Sequence, residues 1–328
     1  MKRVIIGIHG LGRKPSAQVL HRWWLKSIQE GFSAIGHPRR GLPFKTVYWA
    51  DILHATPYDP DILDRNDDRY LEDPYRPSPG GPQSIARPVR KKILDLVEKQ
   101  IMRLDPEEGS SMVWKQFNDL VLRKFFVELD AYYANSLEIA PGAKLAYRDI
   151  VRMRLADTLR KHSGREILLI AHSMGSIIAY DVLSNRLPEL KVHTLLTIGS
   201  PLGMPLVMHN IRLEQELAKV EKLPTPESVT HHWFNLADLA DKVALNYRLN
   251  DDFTPNSRGV APADLEVYND YTIDGDPNPH KAYGYLRTPE LARICFDFIS
   301  AGAPPAAIRR LDLLFKVWEK GSRLFSPR

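Results

Sequence analysis

The sequence predicts an α/β fold: a mostly parallel central sheet, helices on both faces, and a partly helical insertion between sheet elements. Three observations predict it. Short apolar runs at residues 3–8, 166–171 and 192–198 read as strands buried on both faces. Stretches with helical spacing lie between such runs, as repeating β-α-β units require. A proline-rich segment then separates the first two strands from the others.

Taken in order, residues 3–8 are β-branched and end at glycines, which marks a core strand. Residues 16–35 place Val19, Leu20, Trp23, Trp24, Ser27 and Ile28 at helical spacing. Residues 44–49 read as a second strand closing on Asp51. Residues 55–92 are rich in proline, aspartate and arginine and read as a long irregular segment. Helical periodicity returns over 91–105 and 112–140, where Trp114, Phe117, Leu120, Val121, Phe125 and Leu129 share one face. That stripe suits packed core as well as a cap over a site. Further helices are expected at 145–161 and 176–183, strands at 192–198, 229–236 and 265–268, and a final core helix at 291–299. The expected organisation is a core of residues 1–54 and 141–303, an insertion of 55–140, and a tail of 304–328. In the tail, Ile308, Leu311, Leu314, Phe315 and Trp318 line one face among basic residues. Residues 306–328 are therefore a candidate for peripheral membrane contact or for packing on the domain itself or a partner subunit.

Bulk composition sets the class. Hydrophobic residues make up 44% of the chain and charged residues 26%, as in ordinary globular proteins. A net charge of +5 over 328 residues is mild and argues against a nucleic-acid partner. One cysteine, Cys295, allows no intrachain disulfide and fits a reducing compartment. The start imitates a signal peptide, yet its apolar run is short and ends in His9-Gly10-Leu11-Gly12. A soluble, cytoplasmic protein is the expectation. Oligomeric state is not legible.

The motif with most chemical content is Ile170-Ala171-His172-Ser173-Met174-Gly175-Ser176, set between an apolar strand and a helix. A sharp strand-to-helix reversal leaves Ser173 on a strained turn and requires small neighbours two positions away, here Ala171 and Gly175. The helix N-terminus then favours negative charge developing nearby. This motif resembles the nucleophile elbow of α/β-hydrolases, in the Ala-His-Ser-Met-Gly form of some bacterial lipases. The family pattern has glycine where Ala171 stands. Residues 9–12 are similar to the oxyanion loop of lipases, and Thr197-Ile198-Gly199-Ser200-Pro201-Leu202-Gly203 to the strand exit that follows the elbow helix. The resemblance covers about residues 1–51 and 145–300, and implies an esterase or lipase with an oxyanion hole formed by the N–H groups of Leu11 and Met174.

A serine alcohol needs a base and an orienting acid. In this fold they follow the serine, acid first. The family's acid loop, often Asp-x-Val, is matched by Asp241-Lys242-Val243, so Asp241 is the expected acid and Asp238 the alternative. His280 is the only histidine after His232 and is the expected base. His172 is expected to be structural, its side chain turned from the serine. His9, Gly10 and Asp51 are candidates for substrate contact.

The expected function is cleavage of small-molecule carboxylic esters or thioesters, with an apolar acyl chain, through an acyl-enzyme on Ser173. Acyl transfer on the same fold and a non-catalytic binding protein are the alternatives. A dinucleotide-binding reading of Gly7-x-x-Gly10-x-Gly12 fails because Asp51 lies too far along the chain to be the ribose ligand. No metal-ligand spacing such as His-Glu-x-x-His occurs, and no cofactor is expected.

Overall fold

The computed structural model describes residues 2–78, 80–81, 125, 127, 129–133, 136–140, 143–186, 190–217, 220–244 and 246–301. The expected helix at 91–105, most of the aromatic stripe and the 304–328 tail lie outside them. Within the described residues, Phe125 and Leu129 of that stripe are buried in the core.

Among the described residues the main sheet has six strands: β1 (Arg3–Ile8), β2 (Phe44–Val47), β3 (Glu166–His172), β4 (Val192–Ile198), β5 (Val229–Ala237) and β6 (Pro262–Glu266). Their spatial order is β6-β5-β4-β3-β1-β2, and every pairing is parallel. The apolar runs divide by the two-residue period of a strand. Val4, Ile6, Ile8, Ile167, Leu169 and Ala171 pack into one core, while Ile5, Leu168 and Ile170 pack into the other. Strands buried on both sides read as continuous hydrophobic stretches because neither face meets water.

Helices cover the two faces. α1 (Ala17–Ala34) starts at Ser16, whose side chain accepts from Val19 N. Of the stripe expected from spacing it buries Leu20, Trp23, Trp24, Ser27 and Ile28 and leaves Val19 partly buried; Phe32 extends the stripe. α2 (Tyr147–Lys161) and α3 (Met174–Asp181) lie on the opposite face with α4 (Pro205–Glu214). α5 (Ala282–Leu286) and α6 (Pro289–Ser300) join α1. Thr288 caps α6 by accepting from Leu291 N, and Pro289 occupies the first turn. Each fully buried Leu, Ile or Phe in these layers contributes about 1.5–3 kcal/mol.

Three expectations need correction. Residues 136–140 do not continue a helix: Ser136–Ala140 pairs antiparallel with Ala143–Ala146. A Pro-Gly pair, which disfavours helix, separates the two halves in sequence. The last strand of this sheet is Pro262–Glu266 and not 265–268. Helices α4 and α5 were not expected at all; both are short, so their periodic signal is small.

The strand order fixes where a site can form. β1 pairs with β2 on one side and β3 on the other, so the winding reverses between β1 and β3. Loops leaving the carboxyl ends of those strands diverge and open a crevice. Residues 9–12 and Ser173 leave from those two ends.

Candidate active site

Ser173 occupies the single-residue turn between β3 and α3, with φ 55° and ψ −127°. Such a backbone costs a non-glycine residue about 1–3 kcal/mol and persists only when the surroundings hold it. They do so here. Ser173 N donates to Ile198 O at 3.1 Å, and Ser176 N and Oγ both donate to Ser173 O at 2.8 and 2.6 Å. Ser176 Oγ also lies 2.8 Å from Ser200 Oγ. Close approach explains the small residues. A Cβ on Gly175 would lie 2.7 Å from Ile8 O, and one on Gly10 would lie 2.7 Å from Ser173 Cβ.

The structure brings His280 and Asp241 to this serine. His280 Nε2 is 2.9 Å from Ser173 Oγ. Its Nδ1 is 3.0 and 2.9 Å from the two carboxylate oxygens of Asp241, whose side chain is fully buried. With Nδ1–H donating to the carboxylate, Nε2 is left to accept from the hydroxyl. Asp241 also accepts from Val243 N at 2.9 Å and from the Tyr285 hydroxyl at 2.8 Å. Asp238 sits apart from the imidazole. It accepts from Ala240 N and Asn269 N, each at 2.7 Å, and so ties two loops together.

Three supporting residues stand out. Burial beside Asp241 pushes the Tyr285 phenol well above its ordinary range, so it stays a donor to Asp241 while accepting from Asp238 N at 2.9 Å. Sequence reasoning missed Tyr285, because a tyrosine 44 residues beyond Asp241 carries no motif. His172 donates from Nε2 to the backbone carbonyl of His280 at 2.8 Å. Desolvation, reinforced by the nearby His280 ring, holds its pKa well below normal, so it is a neutral strut. Asn269 completes the support by donating to Pro279 O and Lys281 O.

A cavity of about 260 Å³ opens beside Ser173, walled by Leu20, Trp24, Leu71, Phe125, Val243 and Tyr283 among others. Leu11 and Gly10 line it too. Met174 heads α3, where backbone N–H groups have no intrahelical acceptor. At the rim Lys281 pairs with Asp73, and Lys14 donates to the carbonyls of Leu11 and Gly12. His9 borders the cavity, yet its ring is engaged with the backbone of Gly10 and Trp49. Asp51 is a correction: it lies outside the cavity lining, half exposed, and pairs with Arg154. It lies in a 3-10 turn (Ala50–Ile52) after β2, one strand beyond the crevice, and its charge goes to Arg154 of α2.

No group of three or more His, Cys, Asp or Glu side chains among the described residues is placed to hold a metal ion. No helix among them is long and apolar enough to cross a membrane.

The parallel six-stranded sheet, its order and the strand-turn-helix at Ser173 define an α/β-hydrolase fold. Residues 127–257 match a family model described as the PGAP1-like alpha/beta domain, so the chain is similar to a hydrolase-like domain over that stretch. The match includes Ser173 and Asp241 and stops short of His280 and of residues 9–12. No curated protein matches the chain.

Proposed function

We propose that this protein is a serine hydrolase that cleaves carboxylic esters or thioesters through an acyl-enzyme on Ser173. The observation that carries the reading is the continuous hydrogen-bonded line from Ser173 Oγ through His280 to buried Asp241. Ser173 Oγ attacks the acyl carbonyl carbon while His280 Nε2 takes its proton. Asp241 holds the imidazole and stabilises its charged form. The N–H groups of Leu11 and Met174 are the proposed donors to the oxyanion. Collapse breaks the bond to the leaving alcohol or thiol, which takes the proton from His280. Water then gives a proton to His280 and attacks the acyl-enzyme. The acid departs, and Ser173 recovers its proton. Nucleophile, base and electrostatic support all come from the chain, so the proposed reaction calls for no cofactor.

The apolar walls of the cavity favour an apolar acyl group. An acyltransferase would share each step up to the acyl-enzyme and differ only in the acceptor. The first experiment is labelling with a fluorophosphonate and peptide mass spectrometry on the wild type, Ser173→Ala and His280→Ala. The expected result is one adduct, on Ser173, absent in Ser173→Ala and slowed by at least about a thousandfold in His280→Ala. Folded wild-type protein that takes no label would favour a binding role. An ester and thioester chain-length panel then reads the acyl preference; activity confined to the shortest polar esters would refute the apolar pocket.

A further inference from the structure

We infer that His9 is a positioning residue for the oxyanion donor, acting through the Gly10–Leu11 peptide and not by touching substrate. This rests on the proposed hydrolase reading and on three contacts. Trp49 N donates to His9 Nε2 at 3.0 Å, so Nε2 must carry a lone pair. The proton therefore sits on Nδ1, which lies 2.8 Å from Gly10 O and donates to it. The ring is locked further by stacking on the Trp49 indole, with centroids 4.9 Å apart and planes 10° apart, while Trp49 Nε1 donates to His9 O at 2.8 Å.

The consequence follows from peptide geometry. A trans peptide is planar and its C=O and N–H point in opposite directions. Fixing Gly10 O toward His9 turns the Leu11 N–H away from the imidazole. The same peptide runs beside the nucleophile: a Cβ on Gly10 would lie 3.1 Å from Ser173 Oγ. Without the His9 bond, a glycine peptide at a loop start has wide freedom to rotate, and the donor would lose its aim. A hydrogen bond to the carbonyl also polarises the amide and strengthens its N–H as a donor. Burial keeps His9 neutral, its pKa held down to about 3, so the tautomer does not change across the working range.

The test separates aim from packing. In His9→Asn the side-chain amide nitrogen reaches the place of Nδ1 and keeps the bond to Gly10 O, but loses the Trp49 N–H. In His9→Gln the amide reaches the place of Nε2, so the Trp49 partner is kept and the Gly10 donor lost. For the full chain, kcat and KM are measured on p-nitrophenyl butyrate, with the inhibition constant of an aryl trifluoromethyl ketone, whose serine adduct carries an oxyanion, and melting temperature. Expected is a fall of roughly ten- to a hundredfold in kcat and in ketone affinity for His9→Gln, with KM little changed. His9→Asn recovers most of that loss even where it melts no higher. Equal losses in both variants that follow melting temperature would overturn the inference. Should the variants not fold, nitrogen NMR of labelled wild-type histidine decides: protonated Nδ1 is expected, and protonated Nε2 overturns it. Failure of the underlying reading looks different, because then the wild type takes no fluorophosphonate at Ser173.

Discussion

At the scale of residues, two aspartates three positions apart have separate duties because of what each accepts. Asp241 faces the imidazole, and Asp238 fastens the Asn269 loop. Asp241→Asn is expected to lower kcat by about a thousand- to ten-thousandfold with a small change in melting temperature, since it disturbs the imidazole tautomer and spares the packing. Asp238→Asn is expected to do the reverse: about 1–3 kcal/mol of stability lost, from a buried donor left without its acceptor, and a minor change in kcat. Steady-state kinetics with denaturant unfolding of both variants checks the pair. Equal kinetic losses would remove the distinction. Only part of this was legible beforehand. Asp-x-Val and the scarcity of histidines named Asp241 and His280. Tyr285 was not legible, because its role depends on α5 bringing its hydroxyl between two loops.

At the scale of elements, the elbow works because β3 and α3 approach β1 closely. Gly175 sits against the carbonyls of Ile8 and His9, so a side chain there must push backbone. Gly175→Val is expected to cost about 1–3 kcal/mol and to abolish fluorophosphonate labelling. Calorimetry and labelling together check it; an active, fully stable variant would show that the contact yields cheaply. The same logic explains which elements the sequence displayed. Strands buried on both sides stand out as continuous apolar runs, and the eighteen-residue α1 carries a strong periodic signal. The Ser136–Ala140 strand was misread because helical spacing upstream was extended through it, whereas it pairs with the nearby Ala143–Ala146.

At the scale of the whole molecule, segment 55–78 is drawn over the site by charge and hydrogen bonding. Buried Arg287 donates to Asp270 at 2.5 Å and to Arg76 O at 2.6 Å, and Tyr271 donates to Pro74 O at 2.5 Å. That places Leu71 in the cavity wall and Asp73 beside Lys281. Buried and half-buried histidines set the acid side of stability. Desolvation holds His9 down to about 3 and His193 to about 4, and holds His172 well below its ordinary value. Below pH 6.5 the unfolded chain binds protons that the folded one does not, so stability rises with pH and falls as pH drops through 6.5 toward 3. His9 alone accounts for about 2 kcal/mol lost by pH 5. Denaturant unfolding between pH 7.5 and 5 is expected to show this slope, and a smaller one in His9→Asn. A flat profile in the wild type would show that these histidines accept protons without cost.

By itself the sequence determined the α/β class and the tight strand-to-helix turn at Ser173, because strand burial and tight turns act over a few neighbouring positions. It could not determine that Asp51 faces Arg154, that Asp238 braces a loop, or that His9 holds the Gly10 carbonyl. Those outcomes depend on which distant segments meet once six strands take their order. Hydrogen bonds are short and directional, so an acceptor's role is decided only when its donor arrives, and the donors come from elsewhere in the chain.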